Sequence, residues 1–332
     1  MRNYICVRLI NPLKTNLMKK LLLSSIAVLF CISIMAQNNV NLRMNLEKNK
    51  VYRFKSYSAQ TITQTINGNQ QTTDTKVDYA LSLKVIDATA DFMISEVHID
   101  TMKTNTNAMG KSIIISSTSE ADIKSKEMTD VMSCIMNRLS KNAVYAKIDY
   151  TGRVAEIVNA KMLSDVITKD TSSITITGPT RSGIKKQIES MISDKTLKTT
   201  IEMFTYHLPG KQVNVGDNWN VNVSTNSGGM SLDINTRYHL DGITGNSANI
   251  TVEADIKATA NADPIVSGGA KITYDDLKGL SKSTMVLDTR TGLVTEEKAK
   301  THIAGNLGIS GPGFSMTMPM DINGESKVVE LQ

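Results

Sequence analysis

From Val51 onward, apolar and polar positions alternate with period two, as in a strand whose two faces meet different surroundings. Tyr52, Phe54 and Ser56 fall on one face. The run Ile62–Ile66 leads into Asn67-Gly68, and Asn-Gly between two such runs signals a tight hairpin, whose central residues need φ > 0. The return strand spans about 70–86, with Val77, Tyr79, Leu81, Leu83 and Val85 alternating. Asp87–Asp91 turns the chain, residues 92–102 form the next strand, and Lys111–Ser117 forms a fourth.

The period then changes. Met128, Val131, Met132, Ile135, Met136 and Leu139 recur at helical spacing and predict a helix near 126–140. Strands at 143–148 and 153–158 flank the turn Asp149-Tyr-Thr-Gly152. Residues 159–210 read as a helical connector: a short helix at 160–168, a Ser/Thr-rich link over 172–180, then helices through Ile188 and Ile201, the second capped at Asp194. Pro209-Gly210 ends the connector. Alternation resumes after Trp219. It predicts strands at 230–240 and 248–258 joined through Asp241-Gly242 and Gly245-Asn246, a break at Ser267–Gly269, and strands at 283–287, 293–303, 314–320 and 327–331.

The expected fold is mainly β (α+β): long-stranded, curved antiparallel sheet, either two sheets or one, with a few helices between the halves. The turn Asp149…Gly152 in the first half (37–158) is echoed by Asp288…Gly292 in the second (211–332), which suggests an internal duplication.

The N-terminus bears on location. Lys19-Lys20 precedes an apolar run of about 15 residues, too short for a confident membrane span, that exits at Ala36; this describes a signal peptide cleaved after Ala36. Met18 then serves as the start, and residues 1–17 are an upstream extension. Phe30 before Cys31 argues against lipidation at that cysteine. Of 37 basic residues, Arg2, Arg8, Lys14, Lys19 and Lys20 fall in the leader, leaving 32 against 32 acids. The net charge of +5 thus belongs to the discarded part, and no nucleic-acid partner is implied. Cys134 remains as a lone cysteine, read as a small buried hydrophobe rather than a reactive thiol. A periplasmic, outer-envelope or extracellular protein without a membrane-spanning helix in its mature chain is expected.

The junction Phe204-Thr-Tyr-His-Leu-Pro-Gly-Lys-Gln-Val213-Asn-Val-Gly216-Asp217-Asn-Trp219 holds the only tryptophan. Gly216 suits a φ > 0 turn, Asp217 can bond backbone N–H groups two residues on, and Trp219 can anchor a helix–sheet contact. With the turns Asp149…Gly152 and Asp288…Gly292, this junction resembles the Val-x-Val-Gly-Asp-x-Trp signature of an uncharacterised family of exported Bacteroidota proteins, domain of unknown function 6263. Leu208-Pro209 departs from the family's Phe-Pro. The resemblance implies export and a β-rich fold, and no activity.

No catalytic constellation emerges. His98, His207, His239 and His302 are scattered, without metal-ligand spacing. No Gly-x-Ser-x-Gly occurs. Gly110-Lys111-Ser112 lacks the leading glycine of a phosphate loop, since position 105 is Asn105. The acid pairs Asp275-Asp276 and Glu296-Glu297 point to opposite strand faces and read as solvated surface. Met316, Met318 and Met320 share a strand face without His or Cys, and Met128, Met132 and Met136 stripe a helix; both read as packing. Asp100-Thr101-Met102 matches a short O-glycosylation pattern, making Thr101 a candidate acceptor. No cofactor is expected. The leading expectation is a non-enzymatic exported protein whose curved sheet binds a lipid or other apolar small molecule. The rival is a structural module that binds a partner protein, and a third reading is an enzyme of unrecognised type.

Overall fold

The structure, a computed structural model, describes residues 39–331 except 67, 177, 178, 228, 229, 268 and 275. The upstream extension, the signal peptide, Cys6 and Cys31 lie outside the described residues, as do Asn67 and Asp275. In chain order the strands are β1 (Val40–Asn41), β2 (Val51–Ile66), β3 (Asn69–Ala88), β4 (Phe92–Ala108), β5 (Lys111–Ser116), β6 (Val144–Asp149) and β7 (Val154–Ile157). After the helices come β8 (Gln212–Val213), β9 (Asn218–Ser227), β10 (Met230–Thr244), β11 (Ser247–Ala258), β12 (Ile265–Ser267), β13 (Ala270–Thr273), β14 (Lys278–Asp288), β15 (Val294–Gly311) and β16 (Phe314–Leu331). The α-helices are α1 (Met128–Ser140), α2 (Ala160–Ile167), α3 (Pro179–Met191) and α4 (Asp194–Thr205).

Fourteen strands make one antiparallel sheet, whose main path runs β7-β6-β4-β3-β2-β16-β15-β14-β11-β10-β9. The last strand therefore pairs with the first long one, with Ile62 opposite Ile322, and joins the two halves into one sheet. The end strands β7 and β9 do not pair with each other, yet α4 packs against both. A sheet whose two ends reach one helix must curve strongly around it.

The curvature gives the strands an inward and an outward face, and the alternation follows it. Tyr52 and Phe54 of β2 are buried inward, whereas Arg53, Lys55 and Tyr57 are exposed. The helices fill the inward face at one end of the strands. Phe54 meets Phe204 of α4 at 5.8 Å between ring centroids. Val131, Ile135 and Leu139 of α1, Leu163 of α2 and Ile201 of α4 belong to the same core. Asp130 in the first turn of α1 and Arg138 in its last oppose the helix dipole, and Arg138 Nη1 donates to Ile167 O at 3.0 Å, tying α1 to the end of α2. Further along the strands a second, separate cluster forms from Leu232, Ile256, Leu277, Ile303, Met320 and Ile322.

Four expectations need correction. Asp241-Gly242 is not a turn: β10 runs through it with a register shift after Leu240, and the reversal comes at Gly245-Asn246. The strands at 314–320 and 327–331 are one strand, β16; Pro319 sits one residue beyond the β2 pairing, which starts at Met320 opposite Gln64, so its missing N–H breaks no bond to β2. Ser193, not Asp194, caps α4, its side chain accepting from Thr196 N. Finally, the break expected at 267–269, of which 268 lies outside the described residues, separates two short paired strands, β12 and β13, and β13 pairs onto β15. Among the described residues no helix is long and apolar enough to cross a membrane.

Candidate functional site

Three regions combine shape and chemistry. The first is the seam where the chain passes from α4 into β9. Trp219 is 6 % exposed, donates from Nε1 to His207 O at 2.8 Å, and stacks on Tyr238 at 5.4 Å with 6° between the planes. Gly216 has φ 94° with open space where a Cβ would lie, so its requirement is backbone conformation alone. Asp217 Oδ2 accepts from Asn214 N at 2.8 Å, three residues earlier, rather than from residues ahead.

The two Asp/Gly turns close the same seam. Asp149 Oδ1 accepts from Thr151 N and Arg153 N, and Asp288 Oδ1 from Arg290 N, in Asx-type turns. Gly152 (φ 89°) and Gly292 (φ 74°) are both buried at close backbone approaches: a Cβ would lie 1.8 Å from Thr205 O at the first and 2.4 Å from Arg43 O at the second. The segment Leu42–Asn45 passes between the turns, with Met44 N donating to Tyr150 O and Asn45 N to Thr291 O, each at 2.9 Å. His207 lies buried against the second turn, its Nε2 3.4 Å from Gly292 O, and desolvation lowers its pKa to about 4. The buried neutral ring and the paired backbone groups at both turns make the seam read as a structural lock.

The second region is the inward face between the two apolar clusters. Cross-strand register places Ser283, Ala299, Ser326 and Ser58 in one row over β14, β15, β16 and β2, with Ser281, Thr301 and Gly324 in the next. All but Ser283 are half-buried, while Val328 on one side and Ile303 and Ile322 on the other are buried. Small side chains on an inward face leave space that large ones would fill. Glu297 borders this band. It lies inward between Met285 and Val328, accepts from Ser283 Oγ at 2.7 Å, and burial pushes its pKa up.

The third region is a groove of about 830 Å³ on the outward face of β3, β2, β16, β15 and β14, lined by Asp74, Lys76, Lys282, Lys300, His302 and Glu325 among others. Its charges are largely spent on neighbours: Lys300 to Glu325 at 3.4 Å, Lys282 to Glu253 at 3.4 Å, His302 to Asp321 at 2.7 Å. Exposed pairs of this kind contribute little and mark a solvated face.

A family model described as "Family of unknown function (DUF6263)" matches residues 90–294, a span that contains both turns and the Val213–Trp219 junction. The chain belongs to this family. No curated protein matches this DUF6263 chain. Among solved structures, lipovitellin, titled for its lipid–protein interactions, is similar at 10 % identity and TM-score 0.39; the alignment covers 87 % of this chain and 26 % of the other. The DUF6263 chain thus spans about a quarter of that protein's length. An outer membrane channel from Pseudomonas putida F1 is similar at 9 % identity and TM-score 0.26, with 87 % and 97 % covered.

The remaining candidates of the DUF6263 chain do not converge. His98 pairs with Glu96, His239 with Asn218, and His302 with Asp321, on separate parts of the sheet. No group of three metal-ligating side chains forms among the described residues. Thr101 is exposed on β4 beside a register shift. Met318, Met320, Met132 and Met136 are buried, while Met128 at the helix start is exposed. The acid pair Glu296-Glu297, expected as solvated surface, is so only at its first residue. Glu296 faces out to Lys298 and Lys327, whereas Glu297 faces in. The signal was present: Glu297 keeps step with Ala299 and Ile303 on the inward side. The small-residue band was invisible for another reason, since it forms across four strands rather than along one.

Proposed function

We propose that this protein is an exported, non-enzymatic envelope protein that holds an apolar or amphipathic ligand against the inward face of its sheet. One observation carries the reading: a half-buried band of small residues, Ser58, Ser281, Ala299, Thr301 and Ser326, lies between two apolar clusters instead of being sealed by larger side chains. Apolar walls with a few polar groups are what ligand clefts generally present. The isoleucines and methionines beyond the band would meet an acyl or similar chain, and the hydroxyls a more polar portion. Export rests on the leader at residues 18–36.

The test is mass spectrometry of small molecules that co-purify with natively extracted protein, alongside Ala299→Phe, which places a ring in the band. One ligand class at near-stoichiometric amount, lost in the folded variant, is the expected result. Clean parent protein, or equal loading of the variant, would overturn the reading. A structural or partner-binding role is the second reading, favoured by the exposed Met162, Val166 and Met203 on the helices.

A further inference from the structure

We infer that the protein forms a two-fold dimer by antiparallel pairing of β9 with β9 of a second copy. The inference is independent of what the inward face binds.

An edge strand offers a row of unpaired N–H and C=O groups, and proteins usually blunt it with charge, proline, shortness or a cover. Two other free edges among the described residues are blunted, and a third, β12, has only three residues. β7 has four residues, α4 packs on it, and Val154 N is taken by the Glu202 carboxylate. β5 starts at Lys111, and Ser116 N at its far end donates to Ser133 Oγ of α1. Beyond its smaller contact with α4, β9 has none of these devices. Its ten residues, Asn-Trp-Asn-Val-Asn-Val-Ser-Thr-Asn-Ser, include no charge and no proline.

The register shows which backbone groups are free. Leu240 N donates to Asp217 O, so the odd-numbered residues of β9 exchange bonds with β10 and the even-numbered ones point away from it. Among the described residues β9 pairs only with β10, and no loop or side chain bonds the outward backbone groups of Asn220, Asn222 or Ser224. Trp219, at one end, is buried and bonds His207 O just past α4, and the stretch from Asn220 to Asn226 has no further backbone partner among the described residues.

That stretch complements itself. A two-fold axis at Val223 sets Asn222 opposite Ser224 of the second copy and Asn220 opposite Asn226, pairing the outward-pointing backbone groups on both sides. On the inward face it sets Val223 against Val223 and Val221 against Thr225, apolar or β-branched pairs of the kind that stabilise sheets. No like charges meet. An isologous contact requires this self-matching of one patch with itself, whereas a foreign strand would not.

The axis makes a residue-specific forecast. Opposed residues of a non-hydrogen-bonded pair lie about 4.5 Å apart at Cα, within disulfide range, while residues two positions off the axis are about 13 Å from their own copies. Under mild oxidation Val223→Cys therefore gives a disulfide-linked dimer and Thr225→Cys does not, each against the parent chain with its Cys134. Light scattering gives a dimer for the full mature protein and a monomer for Asn222→Pro, which deletes one outward N–H while leaving the β10 ladder whole. Circular dichroism and the melting temperature confirm that the variant keeps its fold. A monomeric parent, a dimer that survives Asn222→Pro, cross-linking that is equal at 223 and 225, or capture of a different protein in place of the second copy would each overturn the inference.

Discussion

At the scale of single residues, two glycines with nearly the same φ separate two kinds of constraint. Gly152 and Gly216 sit at 89° and 94°, but only Gly152 has a carbonyl where a Cβ would go. Gly216→Ala should therefore cost about 1–2 kcal/mol, the strain of a left-handed backbone. Gly152→Ala should cost more than about 3 kcal/mol, because Thr205 and α4 must move as well; paired urea titrations measure the contrast. The sequence marked both glycines as turn residues and could not rank them, since the clash partner is 53 positions away. His207 was merely one scattered histidine in the sequence and is the most deeply desolvated one in the fold. Its folded-state pKa is depressed to about 4, so the unfolded chain binds a proton that the folded chain refuses. The associated stability is present above about pH 6.5 and is lost as pH falls toward 4. Burial raises the pKa of Glu202 and Glu297, which acts with the opposite sign as pH falls through their raised values. Comparison with His207→Leu isolates the histidine: between pH 7 and pH 5 the parent should lose about 2 kcal/mol more than the variant.

At the scale of elements, periodicity was a good guide wherever one face met the core. The helix at Met128–Ser140 was legible because its apolar stripe is continuous, and the β2–β3 hairpin because a turn signal sits between alternating runs. Legibility failed where punctuation residues had local work to do. Gly242 marks a bulge within β10, and Pro319 lies just past the end of the β2–β16 pairing, so neither ends a strand. Both positions resemble breakers in a one-dimensional reading, and what makes them tolerable is which neighbour is absent. The same limit hid the extension of β4 to Ala108 and of β15 to Gly311, whose outer parts are rich in Thr, Asn and Gly and are held by cross-strand pairing rather than by apolar alternation.

At the scale of the molecule, the mainly β architecture followed from the sequence, but its continuity did not, because the β2–β16 ladder joins residues some 260 positions apart and no local pattern records it. That ladder, with the passage of Leu42–Asn45 between turns near Tyr150 and Thr291, bears on how the chain folds. β2 cannot complete its pairing until β16, the last strand, exists, so the contact order is high and the closing steps are slow. A chain built this way stays incompletely folded while it is being made. Removing β16 should then do more than shorten the sheet. It would strip the shared partner from β2 and β15 and leave two long open edges in the middle of the sheet. In refolding from urea, a chain ending at Gly311 should fail to reach the native far-ultraviolet spectrum and should aggregate, whereas a chain that keeps β16 refolds in a slow single phase.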